Sequence, residues 1–70
     1  MSVEVTVNGQ TRELPERATV EAAVREAGVA EPGRGVAVAV DGEVVPRGEW
    51  ATVTLERGQR VEVLRAVQGG

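Results

Sequence analysis

The sequence predicts an α+β domain in which a mixed five-stranded sheet wraps round one helix. Three observations carry that expectation. Valines recur at every second position over 3–7 and 36–40, one stretch alone changes to a helical period, and Asn-Gly and Asp-Gly dipeptides stand where tight hairpins require them. A single helix can cover only one face of such a sheet, so the other face is left to water.

Val3, Val5 and Val7 alternate with Ser2, Glu4 and Thr6, the pattern of a strand with one buried side. Asn8-Gly9 supplies the pair of positive φ angles of a type I′ turn. Gln10 to Leu14 forms the returning strand, and Pro15 ends it because proline has no N–H to give to a ladder. From Thr19 the period changes. Val20, Ala23, Val24 and Ala27 fall at i, i+3, i+4 and i+7, with Glu21, Arg25 and Glu26 on the far side, Thr19 as N-cap and Gly28 just past the end. Glu21 and Arg25 are in the favourable i,i+4 order, which is worth a few tenths of a kcal/mol and describes a solvated helix face.

Glu31 to Gly35 reads as a loop, followed by a strand at Val36 to Val40, an Asp41-Gly42 turn and a short strand at Glu43 to Val45 stopped by Pro46. Gly48-Glu49-Trp50 reads as an irregular turn in which Trp50 plugs the end of the core beside Val53 and Leu55. A turn around Gly58 leads into the last strand, Arg60 to Val67, with Val61 and Val63 facing in and Glu62, Leu64 and Ala66 facing out. Residues 1–67 are expected to form the domain and residues 68–70 a flexible tail.

Composition removes several function classes. Seventy residues make one small domain. The absence of cysteine excludes disulfides, thiolate metal sites and thiol nucleophiles, and the absence of histidine removes the usual base and metal ligand. The net charge is −3, the eight arginines are scattered, and Trp50 is the only aromatic residue, so neither phosphate neutralisation nor base stacking points to nucleic acid. The start carries no basic and apolar leader pattern, and the run Val36 to Val40 is far too short to cross a membrane. A cytoplasmic protein without metal or bound cofactor is expected.

The chain ends Ala66-Val67-Gln68-Gly69-Gly70, directly after the last strand. Two glycines in succession have no Cβ and make a segment thin enough to thread a channel that a side chain would block. The Gly70 carboxylate is therefore the candidate reactive group, with Gln68 and Gly69 beside it for recognition.

The run Asp41-Gly42-Glu43-Val44-Val45-Pro46-Arg47-Gly48-Glu49-Trp50-Ala51-Thr52, taken with the ending Arg60 to Gly70, resembles the ThiS family of ubiquitin-like, β-grasp sulfur carriers of thiamin thiazole synthesis. The opening Val-Asn-Gly-Gln fits as well. Asp41, where Asn is expected, and Gln59, where Asp is expected, depart from that pattern. The resemblance implies that the first strand lies centrally, parallel to the last. It also implies that an adenylating enzyme of the ThiF type uses MgATP to activate the Gly70 carboxylate. Sulfur from a donor such as a cysteine desulfurase would then leave a thiocarboxylate for thiazole synthase (ThiG). On this reading the protein is a cosubstrate and not an enzyme.

Two features of the residues agree with such a role. A chain without thiol or imidazole has neither group with which to attack its own activated end. Ala37, Ala39, Leu64 and Ala66, all facing outward, would make a small apolar docking patch on the uncovered sheet face; scattered exposed apolar residues are also ordinary surface. Three other readings stay open at this point: a molybdopterin synthase small subunit, a covalent protein modifier, and a plain interaction domain with incidental glycines. For a modifier, the lack of lysine rules out lysine-linked chains of this protein.

Overall fold

A computed structural model of the chain describes residues 1–28 and 35–65. Its first hairpin pairs β1 (Ser2–Val7) with β2 (Gln10–Pro15), antiparallel, through a turn whose central residues Asn8 and Gly9 have φ of 50° and 81°. Pro15 still belongs to β2, paired with Ser2, so the ladder closes one residue later than the sequence pattern sets it. β3 (Val36–Val40) and β4 (Glu43–Val45) form the second hairpin over Asp41-Gly42, with φ of 50° and 85°. β5 (Arg60–Arg65) joins the hairpins, giving the strand order β2-β1-β5-β3-β4. It runs parallel to β1 and antiparallel to β3, as the resemblance implies.

The helix α1 (Val20–Glu26) crosses one face of this sheet. Val20, Ala23 and Val24 are buried against Val5 and Val7 of β1, Leu14 of β2, Val38 and Val40 of β3, and Val61 and Val63 of β5. These are the inward positions that the alternation marks. Glu21 and Arg25 sit 4.0 Å apart on the exposed side. Arg12 of β2 reaches Glu26 of α1 at 3.8 Å; both side chains are well exposed, so the pair contributes little.

Thr19 occupies the N-cap position, but its hydroxyl caps nothing. The chain between Trp50 and Leu55 does that work instead. The carbonyls of Val53 and Trp50 accept the N–H groups of Val20 and Glu21 at 3.0 and 3.1 Å, and Leu55 N–H reaches the Ala18 carbonyl at 2.8 Å. Two of the donors that every helix start leaves open are thereby satisfied by backbone. Gly28, with φ of 90°, ends the helix as expected.

Between β4 and β5, a 3₁₀ turn at Arg47–Glu49 aims Trp50 into the core. Its ring is 3% exposed, its Nε1–H donates to the Val45 carbonyl at 3.0 Å, and Leu55 is buried beside it. The one large side chain of the domain therefore fixes where the crossover from β4 returns to the helix.

The two departures from the family pattern meet in space. Asp41 accepts the Arg60 N–H on Oδ1 at 2.9 Å and the Gln59 side-chain amide on Oδ2 at 3.4 Å, while Gln59 Oε1 accepts the Glu56 N–H at 2.7 Å. A carboxylate faces an amide across the pair.

Two measurements follow from this packing. Trp50→Ala should lose about 3–5 kcal/mol, a large share of a total of about 5–15 kcal/mol, and leave the chain unfolded or nearly so by circular dichroism. Trp50→Phe should stay folded and melt lower, having lost one hydrogen bond worth about 1 kcal/mol. Across the turn pair, Asp41→Asn sets amide against amide. The double variant Asp41→Asn/Gln59→Glu should recover about 0.5 kcal/mol relative to the sum of the single changes in urea unfolding.

Candidate functional site

The sheet face away from α1 carries the residues that alternate with the core. β1 places Glu4 and Thr6 there, β2 places Thr11 and Glu13, β5 places Arg60, Glu62 and Leu64, β3 places Ala37 and Ala39, and β4 places Val44. The register sorts them by chemistry. Ala39 stands between Glu62 and Val44, and Ala37 stands opposite Leu64, so the apolar residues gather where β5 runs out of the sheet. The acidic residues Glu4 and Glu13 face each other at the opposite end.

Leu64 is 63% exposed and Val44 is 74% exposed, whereas Ala37 is exposed and Ala39 half-buried between its neighbours. Two open depressions flank Arg60 and Glu62. One, of about 580 Å³, is lined by Thr6, Asn8, Gly9, Arg60, Glu62 and Leu64; the other, of about 410 Å³, by Asp41, Gly42, Gly58, Arg60 and Glu62. Neither is an enclosed reaction chamber. Among the described residues no charged or polar side chain is buried, and no three acidic groups gather to hold a metal. No helix there is long and apolar enough to cross a membrane.

Three of the four expected patch residues, Ala37, Ala39 and Leu64, thus share one face, with Ala37 opposite Leu64 and Ala39 opposite Glu62 in the β3–β5 ladder. Ala66, and the tail residues Gln68, Gly69 and Gly70, lie outside the described residues. Val44 belongs to the same patch and is absent from the expected set. The signal for it was present, because a two-residue Asp-Gly turn puts Val44 opposite Ala39 and on its face.

Asn8 also has a second role that the Asn-Gly motif hides. Its own N–H donates to the Val61 carbonyl at 2.9 Å, its side-chain Nδ2 donates to the Val63 carbonyl at 3.2 Å, and its Oδ1 accepts the Val63 N–H at 2.8 Å. The carboxamide stands in for the next peptide of β1, where the strand itself has turned away. It binds β5 at the last inward residue before Leu64 and Arg65.

The arrangement presents a small exposed apolar patch of Ala37, Ala39, Val44 and Leu64, beside the end of β5.

Comparison with known proteins agrees. The model of the ThiS family matches residues 5–70. A thiazole synthase from Paramagnetospirillum magneticum (strain ATCC 700264 / AMB-1) is 34% identical over 68 residues, a match that takes in 97% of this chain and 20% of that protein; the chain spans a fifth of that relative's length. Among solved structures, the thiamine biosynthesis protein ThiS from Geobacter metallireducens matches with a TM-score of 0.73 and 28% identity, over 97% of this chain and 100% of that one. With the family model covering nearly the whole chain and the mixed sheet folded round its helix in the same way, the chain belongs to the ThiS family and has its β-grasp fold.

Proposed function

We propose that the protein is a sulfur carrier for thiamin thiazole synthesis and that the Gly70 carboxylate carries the sulfur. The observation that supports this most is the family match, which runs through Gly69 and Gly70. A carboxylate at neutral pH is a poor acyl donor, so the carrier needs an activating partner. Gly70 attacks the α-phosphorus of MgATP on that partner and releases pyrophosphate, leaving an acyl adenylate. The outer sulfur of a cysteine persulfide then attacks the acyl carbon and expels AMP. Cleavage of the resulting acyl disulfide by a thiol leaves the thiocarboxylate.

The partners in this reading are a ThiF-type adenylating enzyme, a persulfide donor and a thiazole synthase, and the setting is the cytoplasm. The thiazole synthase from Paramagnetospirillum magneticum, which contains a segment similar to this chain, supports that last partner. The patch of Leu64, Val44, Ala37 and Ala39 is the docking face, because Leu64 lies on the strand that leads to the tail and the others lie beside it on β3 and β4. The carrier itself is the substrate of these steps and catalyses none of them.

Incubation with MgATP, a ThiS-type adenylating enzyme and a sulfur source should raise the intact mass of the full chain by the exchange of one oxygen for one sulfur. A chain lacking Gly70 should show no gain. An unchanged full chain, beside a known carrier that does react, would refute the proposal. Leu64→Glu should weaken binding to the adenylating enzyme by about tenfold or more, equivalent to about 1.4 kcal/mol, with an unchanged circular dichroism spectrum. Calorimetry showing equal affinities for Leu64→Glu and the wild type would remove the patch from the interface.

A further inference from the structure

We infer that Asn8 is a positioning residue for the tail, and that its carboxamide sets the last point at which β5 is bonded on its β1 side. The inference rests on the carrier reading above. Its physical basis is the way the central ladder ends. The β1–β5 register covers only Thr6 with Arg60 and Val7 with Val61, after which β1 turns back at Asn8 and Gly9. Val63 is one rung further on. Its N–H and C=O point toward β1, because the antiparallel ladder to β3 uses the backbone of the alternate residues Glu62 and Leu64. Without a neighbour, this peptide pair would be left at the rim of the sheet.

Asn8 meets both groups, with Oδ1 on the N–H and Nδ2 on the carbonyl. Only an amide side chain offers a donor and an acceptor in one plane as a peptide does. Bonding on both sides of β5 therefore continues as far as Val63, which is bonded to Asn8 between the β3-facing residues Glu62 and Leu64, whereas beyond Val63 only β3 lies beside the strand. Seven residues follow Val63, the last of them Gly70, a reach of about 23–25 Å if extended. The clamp marks where that span begins.

A partner that grips the tail in an extended form must order every residue that is not already fixed, and each costs binding free energy. If the clamp is lost, the end of β5 frays and the ordered base of the tail moves back. The cost appears in the productive capture of the tail and not in the adenylation chemistry. Asn8 thus acts on the reaction through Val63, at a distance from the reacting carboxylate.

The test compares wild type with Asn8→Gly, Asn8→Asp and Val3→Ala in carrier-dependent ATP–pyrophosphate exchange by a ThiS-type adenylating enzyme. Glycine accepts the positive φ of the turn and removes only the carboxamide. Aspartate keeps the acceptor for the Val63 N–H and loses the donor. Val3→Ala trims a half-buried residue at the far end of β1 and serves as the control for lost stability.

Asn8→Gly should lower kcat/KM roughly five- to thirtyfold, the factor that ordering one more residue represents. KM should carry the loss, with kcat restored at saturating carrier. Asn8→Asp should fall between, Val3→Ala should leave kcat/KM unchanged, and amide exchange at Val63 should quicken only in the Asn8 variants. Wild-type kcat/KM in Asn8→Gly despite faster exchange at Val63 would overturn the inference, as would an equal loss in Val3→Ala. No exchange with wild-type carrier, beside a known carrier that is active, would instead bring down the carrier reading and this inference with it.

Discussion

The parallel contact between β1 and β5 is the interaction on which the rest of the fold depends. It is the seam between an N-terminal hairpin and a C-terminal three-strand unit, and within the strands it is only two residue pairs long. Parallel pairing between distant segments must first overcome the entropy of closing the chain between them. Here the seam is reinforced from outside the strands. Glu4 accepts the Gly58 N–H, Thr6 N–H reaches the Gln59 carbonyl, and Asn8 adds three bonds to Val61 and Val63. Val5, Val7, Val61 and Val63 project from it into the core, so the helix packs directly over the join.

The second constraint is the small size of the core. Valine, alanine and leucine fill it, with Trp50 as the one large member, and a domain of this length can bury only about 60% of its unfolded surface. Local features therefore carry more weight than they would in a larger protein. The chain from Trp50 to Leu55 both buries the tryptophan and supplies the carbonyls that receive the first N–H groups of α1. Packing and capping come from one segment, which explains why the Thr19 hydroxyl can be idle.

The strands, the helix and the inward residues were legible in the sequence because valine and alanine follow their periods without interruption and the two turn dipeptides have one favoured geometry. What was not legible arises between segments. The Asn8 to Val63 clamp joins residues 55 apart, and the turn already accounts for an asparagine at that position. Asp41 and Gln59 look like unrelated departures until the fold brings them together. Arg17 adopts φ of 71° in the turn between β2 and α1, a conformation that arginine does not advertise. Three of the four residues of the apolar patch could be read in the same way. The outward alternation of β3 and β5 marks Ala37, Ala39 and Leu64, whereas Val44 needed the hairpin register to place it. The order of β1 and β5 came from resemblance to a family, since no local pattern distinguishes a parallel from an antiparallel neighbour.

These features bear on the division of labour in the proposed chemistry. Among the described residues no polar side chain is buried, and the core is wholly apolar but for the indole N–H of Trp50. The open face is divided accordingly, with uncompensated Glu4 and Glu13 at one end and Leu64, Ala37, Ala39 and Val44 at the other. β5 belongs to both regions of the molecule. Its inward valines are fixed in the core, and its next residue lies in the patch. In the proposed docking, a partner covering Leu64 would meet β5 at a position that the core has already determined, and the seam between β1 and β5 would help to set it.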